Sequence, residues 1–366
     1  MIVKIGTAYF GPKTSTSGGS SMIDVPKPTI PPSVPATRPM TRTMAHSMTE
    51  LSGPSCRTTS EQTGSTLGRM PQTIRLIVVA LAAAAAAAYA TGAALVWRYP
   101  DRFIDFPARE TPQTPGMLGI DYREVWLRAG PRRALVYGWW LPNGRDAPVL
   151  LLLPGTGRPK AGMVHVAAAM HAAGAAVLMI DYRGLGRSDR GPLTEASMYE
   201  DAEAAWQELR WHQPDAARRF VYGHSLGAVP ALELAARYPD VNGVVIEGAP
   251  TSIRELLRDS WAAALYPVDR MLDGRFDAAT KVRRLNVPLL VIHGKRDDLV
   301  PPEMGITLYM RATAKKSLLL VEGATHSDAA SVDAEAYRAA FERLMPLSPE
   351  RAVADLTQRA APSRAG

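Results

Sequence analysis

Residues 220–239 read FVYGHSLGAVPALELAARYP, and their centre, Gly223-His224-Ser225-Leu226-Gly227, has the form G-x-S-x-G. Strand-like apolar residues precede this pentapeptide, and a helical pattern of apolar residues follows it. In a strand–turn–helix the serine sits at a strained corner, where flanking glycines give the backbone room. The corner aims the hydroxyl out of the carboxyl edge of a sheet, beside the N–H of Leu226. The segment therefore predicts that Ser225 is a nucleophile.

The pattern on either side of this corner predicts an α/β fold. Short runs rich in Val, Leu and Ile predict eight strands, at 122–127, 134–141, 147–155, 175–184, 219–225, 242–249, 287–294 and 317–324. Helical patterns lie between the later strands, at 160–173, 197–212, 226–238, 302–313 and 332–345. Continuous apolar runs are typical of strands buried on both faces, and alternation with helices predicts a mostly parallel sheet covered on both sides. The first two strands have no helix between them, so we expect them to be antiparallel.

Two local features refine this pattern. Ser197 is predicted to cap the helix at 197–212, with Glu200 completing a capping box. Residues 250–286, after the sixth strand, are too many for a simple crossover and predict a small helical insertion over the carboxyl edge of the sheet. Its large apolar residues either line a pocket or pack the insertion down: Trp261, Leu265, Tyr266, Met271 and Leu272.

A nucleophilic serine needs a base, and the chain order expected in this architecture is serine, acid, histidine. The seven histidines are residues 46, 165, 171, 212, 224, 293 and 326. Only His326 follows the last strand, so His326 is the predicted base. His224 is expected to turn toward the sheet, His293 to be structural, and the three helical histidines to be ordinary surface or packed residues.

The acid is expected in the segment VIHGKRDDLVPP, after the seventh strand. Asp297 is the preferred choice, and the alternatives are its neighbour Asp298, which also suits a helix-capping role, and Glu247 at the end of the preceding strand. The tetrahedral intermediate needs two N–H donors. Leu226 supplies one, and Thr156 in the turn PGTG (154–157) is the expected second.

These motifs resemble the α/β-hydrolase superfamily, and within it the Bem46-like, abhydrolase-domain serine hydrolases, over residues 118–346. The resemblance is carried by five blocks: PGTG (154–157), DYRGLGRSD (181–189), GHSLG (223–227), HGKRDDLVP (293–301) and GATHSD (323–328). It implies the nucleophile Ser225, the acid Asp297, the base His326, and oxyanion donors at Thr156 and Leu226. It implies structural roles for Asp181 and Arg183. It also implies hydrolysis of carboxylic esters, thioesters or, less often, peptides without a metal or other cofactor.

The N-terminal part has a different character. Residues 1–70 include 30 Ser, Thr or Pro and show no apolar periodicity, which predicts a disordered tail. Because Met70 begins a stretch that looks like a natural protein start, an over-extended start site is the alternative. Residues 347–366 are predicted to be a flexible tail.

A predicted membrane segment covers 74–98. Residues 76–97 carry no charge, and as a helix they span about 33 Å, enough for a bilayer core. We interpret the segment as an uncleaved anchor; a signal peptide cleaved after 88–90, or a buried Ala-rich core helix, are the alternatives. Arg69 and Arg75 before it favour a cytoplasmic N-terminus and an extracytoplasmic catalytic domain, which would be secreted or periplasmic after cleavage.

Composition excludes several other classes. The net charge is +7, but the first 75 residues hold eight Lys or Arg and three acids, so +5 lies there and only +2 on the remaining 291 residues. This distribution argues against nucleic-acid binding. One cysteine permits no intrachain disulfide, and no Cys/His cluster has metal-ligand spacing. We therefore expect a membrane-tethered serine hydrolase acting on small or lipid-like acyl esters or thioesters. A peptidase, an acyltransferase and a non-catalytic binding module on the same fold are the alternatives.

Overall fold

The structure, a computed structural model, describes residues 21–22, 71–98, 113–156, 163–258, 263 and 268–345. Its strands are β1 Ser21–Met22, β2 Arg123–Ala129, β3 Ala134–Leu141, β4 Val149–Leu153, β5 Ala176–Ile180, β6 Arg219–His224, β7 Gly243–Glu247, β8 Leu289–Gly294 and β9 Lys316–Val321. Its α-helices are α1 Gln72–Arg98, α2 Val164–Ala172, α3 Glu195–His212, α4 Ala228–Arg237, α5 Ile253–Leu257, α6 Val268–Met271, α7 Ala278–Lys281, α8 Pro302–Arg311, α9 Ala329–Val332 and α10 Ala334–Leu344. Apart from Ser21–Met22, the predicted tails 1–70 and 347–366 lie outside the described residues.

The strands form one sheet in the order β1-β9-β8-β7-β6-β4-β5-β3-β2. The six strands from β4 to β9 are parallel to one another, while β2 and β3 form an antiparallel pair that joins the sheet beside β5. Strand order reverses at β4, whose neighbours β5 and β6 lie on opposite sides of it. A ligand crevice in an open parallel sheet lies at the carboxyl ends of the strands at such a reversal. The fold thus marks the ends of β4 and β6 as the place for a site.

Both faces of the sheet are buried. Along β4, Leu151 and Leu153 belong to an apolar cluster that includes residues of α3 and α4, whereas Leu150 and Leu152 belong to a cluster that includes residues of α2 and α10. All four side chains are fully buried. Because successive residues of a strand point to opposite faces, a strand covered on both sides needs an unbroken apolar run. This explains why β4 reads VLLLL rather than alternating.

The predicted fold is confirmed, with eight strands at the expected places as β2 to β9, four predicted helices between strands and the fifth after β9. The two-residue strand β1 was not predicted; it pairs antiparallel with Leu319 and Leu320 of β9. The predicted cap of α3 is wrong. Thr194 is the N-cap, its side chain accepts a hydrogen bond from the N–H of Ser197, and the Ser197 hydroxyl accepts one from the N–H of Thr194. Serine thus takes the place that Glu or Gln usually holds in a capping box.

The insertion after β7 is helical, as predicted, and its described part contains α5, α6 and α7. Leu272 is buried and packs in the apolar core, and Met271 packs against that core. Trp261, Leu265 and Tyr266 lie outside the described residues. Leu272 therefore holds the insertion down rather than lining a pocket.

Helix α1 carries the predicted membrane segment. Residues Gln72–Leu95 are long and apolar enough to cross a membrane by length and composition, with a mean hydropathy of 2.0 in the most apolar window. None of that window is buried within the structure. The structure thus gives no support to the alternative of a buried core helix.

Candidate active site

Ser225 lies in the corner between β6 and α4. A single 3₁₀ turn, Ser225–Gly227, joins the two elements, and Ser225 has a φ of 52°, in the left-handed region. A Cβ placed on Gly223 would lie 2.4 Å from the carbonyl oxygen of Gly227, and one on Gly227 would lie 2.3 Å from that of Leu153. Neither position has room for a side chain. The two glycines of G-x-S-x-G are thus required by the packing of the corner.

The loop after β4 contacts the same corner. Leu153 and Gly223 are partners in the β4–β6 ladder, so Thr156 and Leu226 each lie three residues beyond a matched pair. A Cβ on Gly155 would lie 2.9 Å from the Cβ of Ser225, which shows how closely this loop approaches the serine. Thr156 and Leu226 are both buried. The structure therefore brings both predicted N–H donors to the end of the sheet where Ser225 lies.

The side chains of His326 and Asp297 are in contact in the loops that follow β9 and β8 respectively. The His326 Nδ1 lies 2.8 Å from the Oδ2 of Asp297. The side chain of Asp297 is fully buried, while that of His326 is 15% exposed. An ionised carboxylate can only accept, so Nδ1 of His326 carries a hydrogen, and whenever the ring is neutral its Nε2 has the free lone pair. This is the tautomer that a general base needs.

Asp297 is held by hydrogen bonds to both of its oxygens. Its Oδ1 accepts from the backbone N–H groups of Leu299, at 3.0 Å, and Val300, at 2.8 Å. Its Oδ2 lies near His326 and also 3.2 Å from the Nε2 of His293. Burial alone would raise the pKa of Asp297, but its hydrogen bonds with His293 and His326 bring that pKa below the usual range. The carboxylate is therefore ionised at neutral pH.

The two alternative acids are placed elsewhere. Asp298 is exposed. Glu247 is buried, and its Oε2 accepts hydrogen bonds from the hydroxyls of Tyr222, at 2.6 Å, and Tyr337, at 2.7 Å. Burial raises the pKa of Glu247 although these two tyrosines oppose the shift. Of the three candidates, the structure brings Asp297 to His326.

His224 contacts the base, contrary to the expectation that it turns away toward the sheet. Its Nε2 lies 2.9 Å from the carbonyl oxygen of His326, and the two rings meet edge to face at 4.9 Å. Since a carbonyl oxygen only accepts, Nε2 of His224 is the donor. Gly248, with a φ of 57°, supports the same loop, because a Cβ there would lie 3.1 Å from the Nδ1 of His326.

His293 was also expected to be purely structural, yet it contacts the acid. It is fully buried at the end of β8, four residues before Asp297. The sequence signal for this contact is the short segment HGKRDD, where a turn places His293 and Asp297, four residues apart, against each other. Among the described residues, this cluster included, no group of three or more His, Cys, Asp or Glu side chains is placed to hold a metal ion.

Comparisons with known proteins place this sequence among hydrolase-like relatives. A family model described as serine aminopeptidase, S33, matches residues 145–276. An uncharacterized protein of Mycobacterium tuberculosis is 30% identical over 276 residues, which cover 74% of this chain and 94% of that protein. The human alpha/beta hydrolase domain-containing protein 17B is 31% identical over 171 residues, covering 46% of this chain and 54% of its own length.

Solved structures show the same fold. An esterase of Pyrococcus furiosus superposes with a TM-score of 0.55 at 20% identity, covering 66% of this chain and 98% of the esterase. The sheet, the corner at Ser225 and the match to the serine aminopeptidase, S33, family model lead to one assignment. The chain belongs to the α/β-hydrolase superfamily and is a serine hydrolase.

Proposed function

We propose that the protein hydrolyses carboxylic esters or thioesters through an acyl-enzyme on Ser225. The observation that carries this proposal is the 2.8 Å contact between Asp297 and His326, in a loop that His224, the residue before the left-handed Ser225, also contacts. In the proposed reaction the Oγ of Ser225 attacks the substrate carbonyl carbon while its proton passes to the Nε2 of His326. Asp297 keeps its negative charge and stabilises the imidazolium.

The rest of the cycle uses the same groups. The backbone N–H groups of Thr156 and Leu226 hold the oxyanion that forms when the carbonyl carbon becomes tetrahedral. Collapse of this intermediate breaks the bond to the leaving alcohol or thiol, which takes the proton from His326. Water then attacks the acyl-enzyme, gives its proton to His326, and releases the acid and free Ser225.

An aminopeptidase is the second candidate, because the matching family model carries that description. Such an enzyme needs a carboxylate to bind the ammonium group of its substrate. The two buried carboxylates that interact with His326 are already engaged, Asp297 by two histidines and two backbone N–H groups, and Glu247 by two tyrosines. This arrangement supports a neutral acyl substrate over an α-amino one.

A panel of p-nitrophenyl esters tests the substrate class. The acyl chain would run from acetate through butyrate and octanoate to palmitate, and alanine p-nitroanilide would represent the peptidase. We expect kcat/KM, divided by the uncatalysed rate of each compound, to favour the esters and to rise by up to about fourfold for each methylene that the site buries. A corrected rate that is higher for the anilide would instead establish the aminopeptidase.

We infer that α1 tethers the enzyme to a membrane, on the strength of its length, its apolar composition and its exposure. Arg75 near its start favours a cytoplasmic N-terminus and an extracytoplasmic catalytic domain. A helix that crosses once separates the segments before and after it, so the pairing of Ser21 and Met22 with β9 is incompatible with an inserted α1. Membrane insertion of α1 therefore requires that Ser21 and Met22 are not paired with β9.

Fusion of alkaline phosphatase to the C-terminus tests the inserted state. This reporter folds only where disulfides form, so we expect an active, membrane-bound fusion in a bacterial host. A fusion that lacks residues 71–98 is the matched control, and it should be inactive and soluble. An inactive full-length fusion in the membrane fraction would reverse the orientation, and recovery of an active fusion in the soluble fraction would indicate a cleaved signal peptide.

A further inference from the structure

We infer that His293 is a positioning residue for the proposed reaction: it fixes the carboxylate of Asp297 so that His326 can act as the base. The inference rests on the proposed function of the Ser225 site and adds to it a residue that does not itself touch substrate. Its starting point is that one oxygen of Asp297, Oδ2, faces two histidines at once, at 2.8 Å from His326 and 3.2 Å from His293.

The protonation of His293 follows from its surroundings. Its Nε2 lies 2.8 Å from the carbonyl oxygen of Val300 as well as 3.2 Å from the Oδ2 of Asp297. Both of these oxygens only accept hydrogen bonds when Asp297 is ionised, so Nε2 must carry a hydrogen that the two oxygens share. The ring is therefore a donor to the acid rather than an acceptor from it.

The opposite nitrogen keeps the ring neutral. Nδ1 of His293 is buried and has no hydrogen-bond partner among the described residues. Gly305 of α8 closes over it, since a Cβ there would lie 2.3 Å from Nδ1. A second ring proton would thus be buried without an acceptor, which is costly. A neutral donor leaves the negative charge of Asp297 intact for the imidazolium that forms on His326.

The contact also orients the carboxylate. The Oδ1 of Asp297 accepts hydrogen bonds from the N–H groups of Leu299 and Val300. The Nε2 of His293 contacts both the carbonyl oxygen of Val300 and the Oδ2 of Asp297. The titratable groups that face His293 are Asp297 in the following loop, His326 after β9 and Glu247 of β7, which interacts electrostatically with both histidines. Loss of the donor leaves the negative charge on Oδ2 less stabilised, so the carboxylate attracts a proton on His326 more strongly.

A matched pair of variants separates the hydrogen bond that His293 donates to Asp297 from the packing of the His293 ring. Glutamine can place its amide nitrogen close to the position of Nε2, and methionine has nearly the same length but cannot donate. We expect His293→Met to lower kcat for p-nitrophenyl butyrate about 10- to 100-fold with little change in KM. In a plot of kcat/KM against pH, the acid limb reports protonation of the base. We expect His293→Met to shift this limb to higher pH by about one unit. His293→Gln should retain most of kcat and the wild-type limb.

Three outcomes decide the matter. If both variants keep the wild-type limb and differ only in melting temperature, His293 is structural and the inference is wrong. If His293→Met does not fold, His293→Asn replaces it, because its amide is polar but too short to reach Asp297, and the same shift of the limb is expected. Fluorophosphonate labelling of wild-type protein, with Ser225→Ala as the blank, is measured alongside. If Ser225→Ala is still labelled, the proposed function itself is wrong. If Ser225→Ala is not labelled but the acid limb of His293→Met stays at the wild-type pH, only the role of His293 is wrong.

Discussion

Ser225→Ala is expected to abolish covalent labelling by a fluorophosphonate probe and to lower the turnover of p-nitrophenyl esters by about a millionfold. The substitution removes the attacking oxygen and nothing else. Alanine keeps the Cβ that packs against Gly155, and it accepts the φ of 52° at about the same cost as serine. The variant should therefore fold like the wild type. Labelling is read by in-gel fluorescence and turnover by nitrophenolate release.

Ser331→Ala is the matched control, because Ser331 is an exposed serine in α9 and its loss should leave labelling and turnover unchanged. Equal labelling of the wild type and Ser225→Ala would remove Ser225 as the nucleophile. A variant that loses labelling together with its thermal transition would point to a folding defect, so melting curves accompany the assay.

His326→Ala is expected to cost nearly as much, on the order of 10⁵- to 10⁶-fold in kcat, because the variant lacks the proposed acceptor of the serine proton. The loss should appear in kcat rather than KM, since the imidazole acts on the reacting proton and not on the bound acyl chain. His165→Ala is the control, because His165 is an exposed histidine of α2.

A double variant strengthens this second test. If Ser225 and His326 act as one unit, the variant that lacks both residues should be no slower than either single variant. Losses that instead multiply would show that the two residues contribute separately. An unimpaired His326→Ala would show that another base operates, and His224 would be the next residue to replace because it contacts the same loop.

The elements that the sequence predicts well are those with a strong local cause. Residues 134–141 are predicted and observed as β3 over the same range, because a run of β-branched, aromatic and aliphatic side chains has no competing helical pattern. The strand predicted at 147–155 shrinks to Val149–Leu153, since the flanking Pro148 and the turn at Pro154 and Gly155 fall outside the ladder. Chain order selects His326, and its place in the loop after the seventh strand favours Asp297 over Asp298 and Glu247; the structure brings His326 and Asp297 together.

The features that sequence reasoning missed depend on contacts between distant loops. His224 and His326 are 102 residues apart, and nothing in the pentapeptide GHSLG shows that its histidine would reach that carbonyl oxygen. The role inferred for His293 depends on a turn that brings Val300 back over the end of β8. The prediction of the α3 cap was wrong for a different reason. Thr194 and Ser197 are both good capping residues, and local propensity alone does not choose between them.

The left-handed backbone of Ser225 has a consequence for anyone who engineers this enzyme. A non-glycine residue at such a φ costs about 1 kcal/mol or more, which glycine would avoid. A screen that selects only for thermal tolerance will therefore reward glycine at position 225 while destroying the activity. On the proposed mechanism the corner gives up stability for reactivity at Ser225, so stabilising substitutions belong elsewhere in the chain.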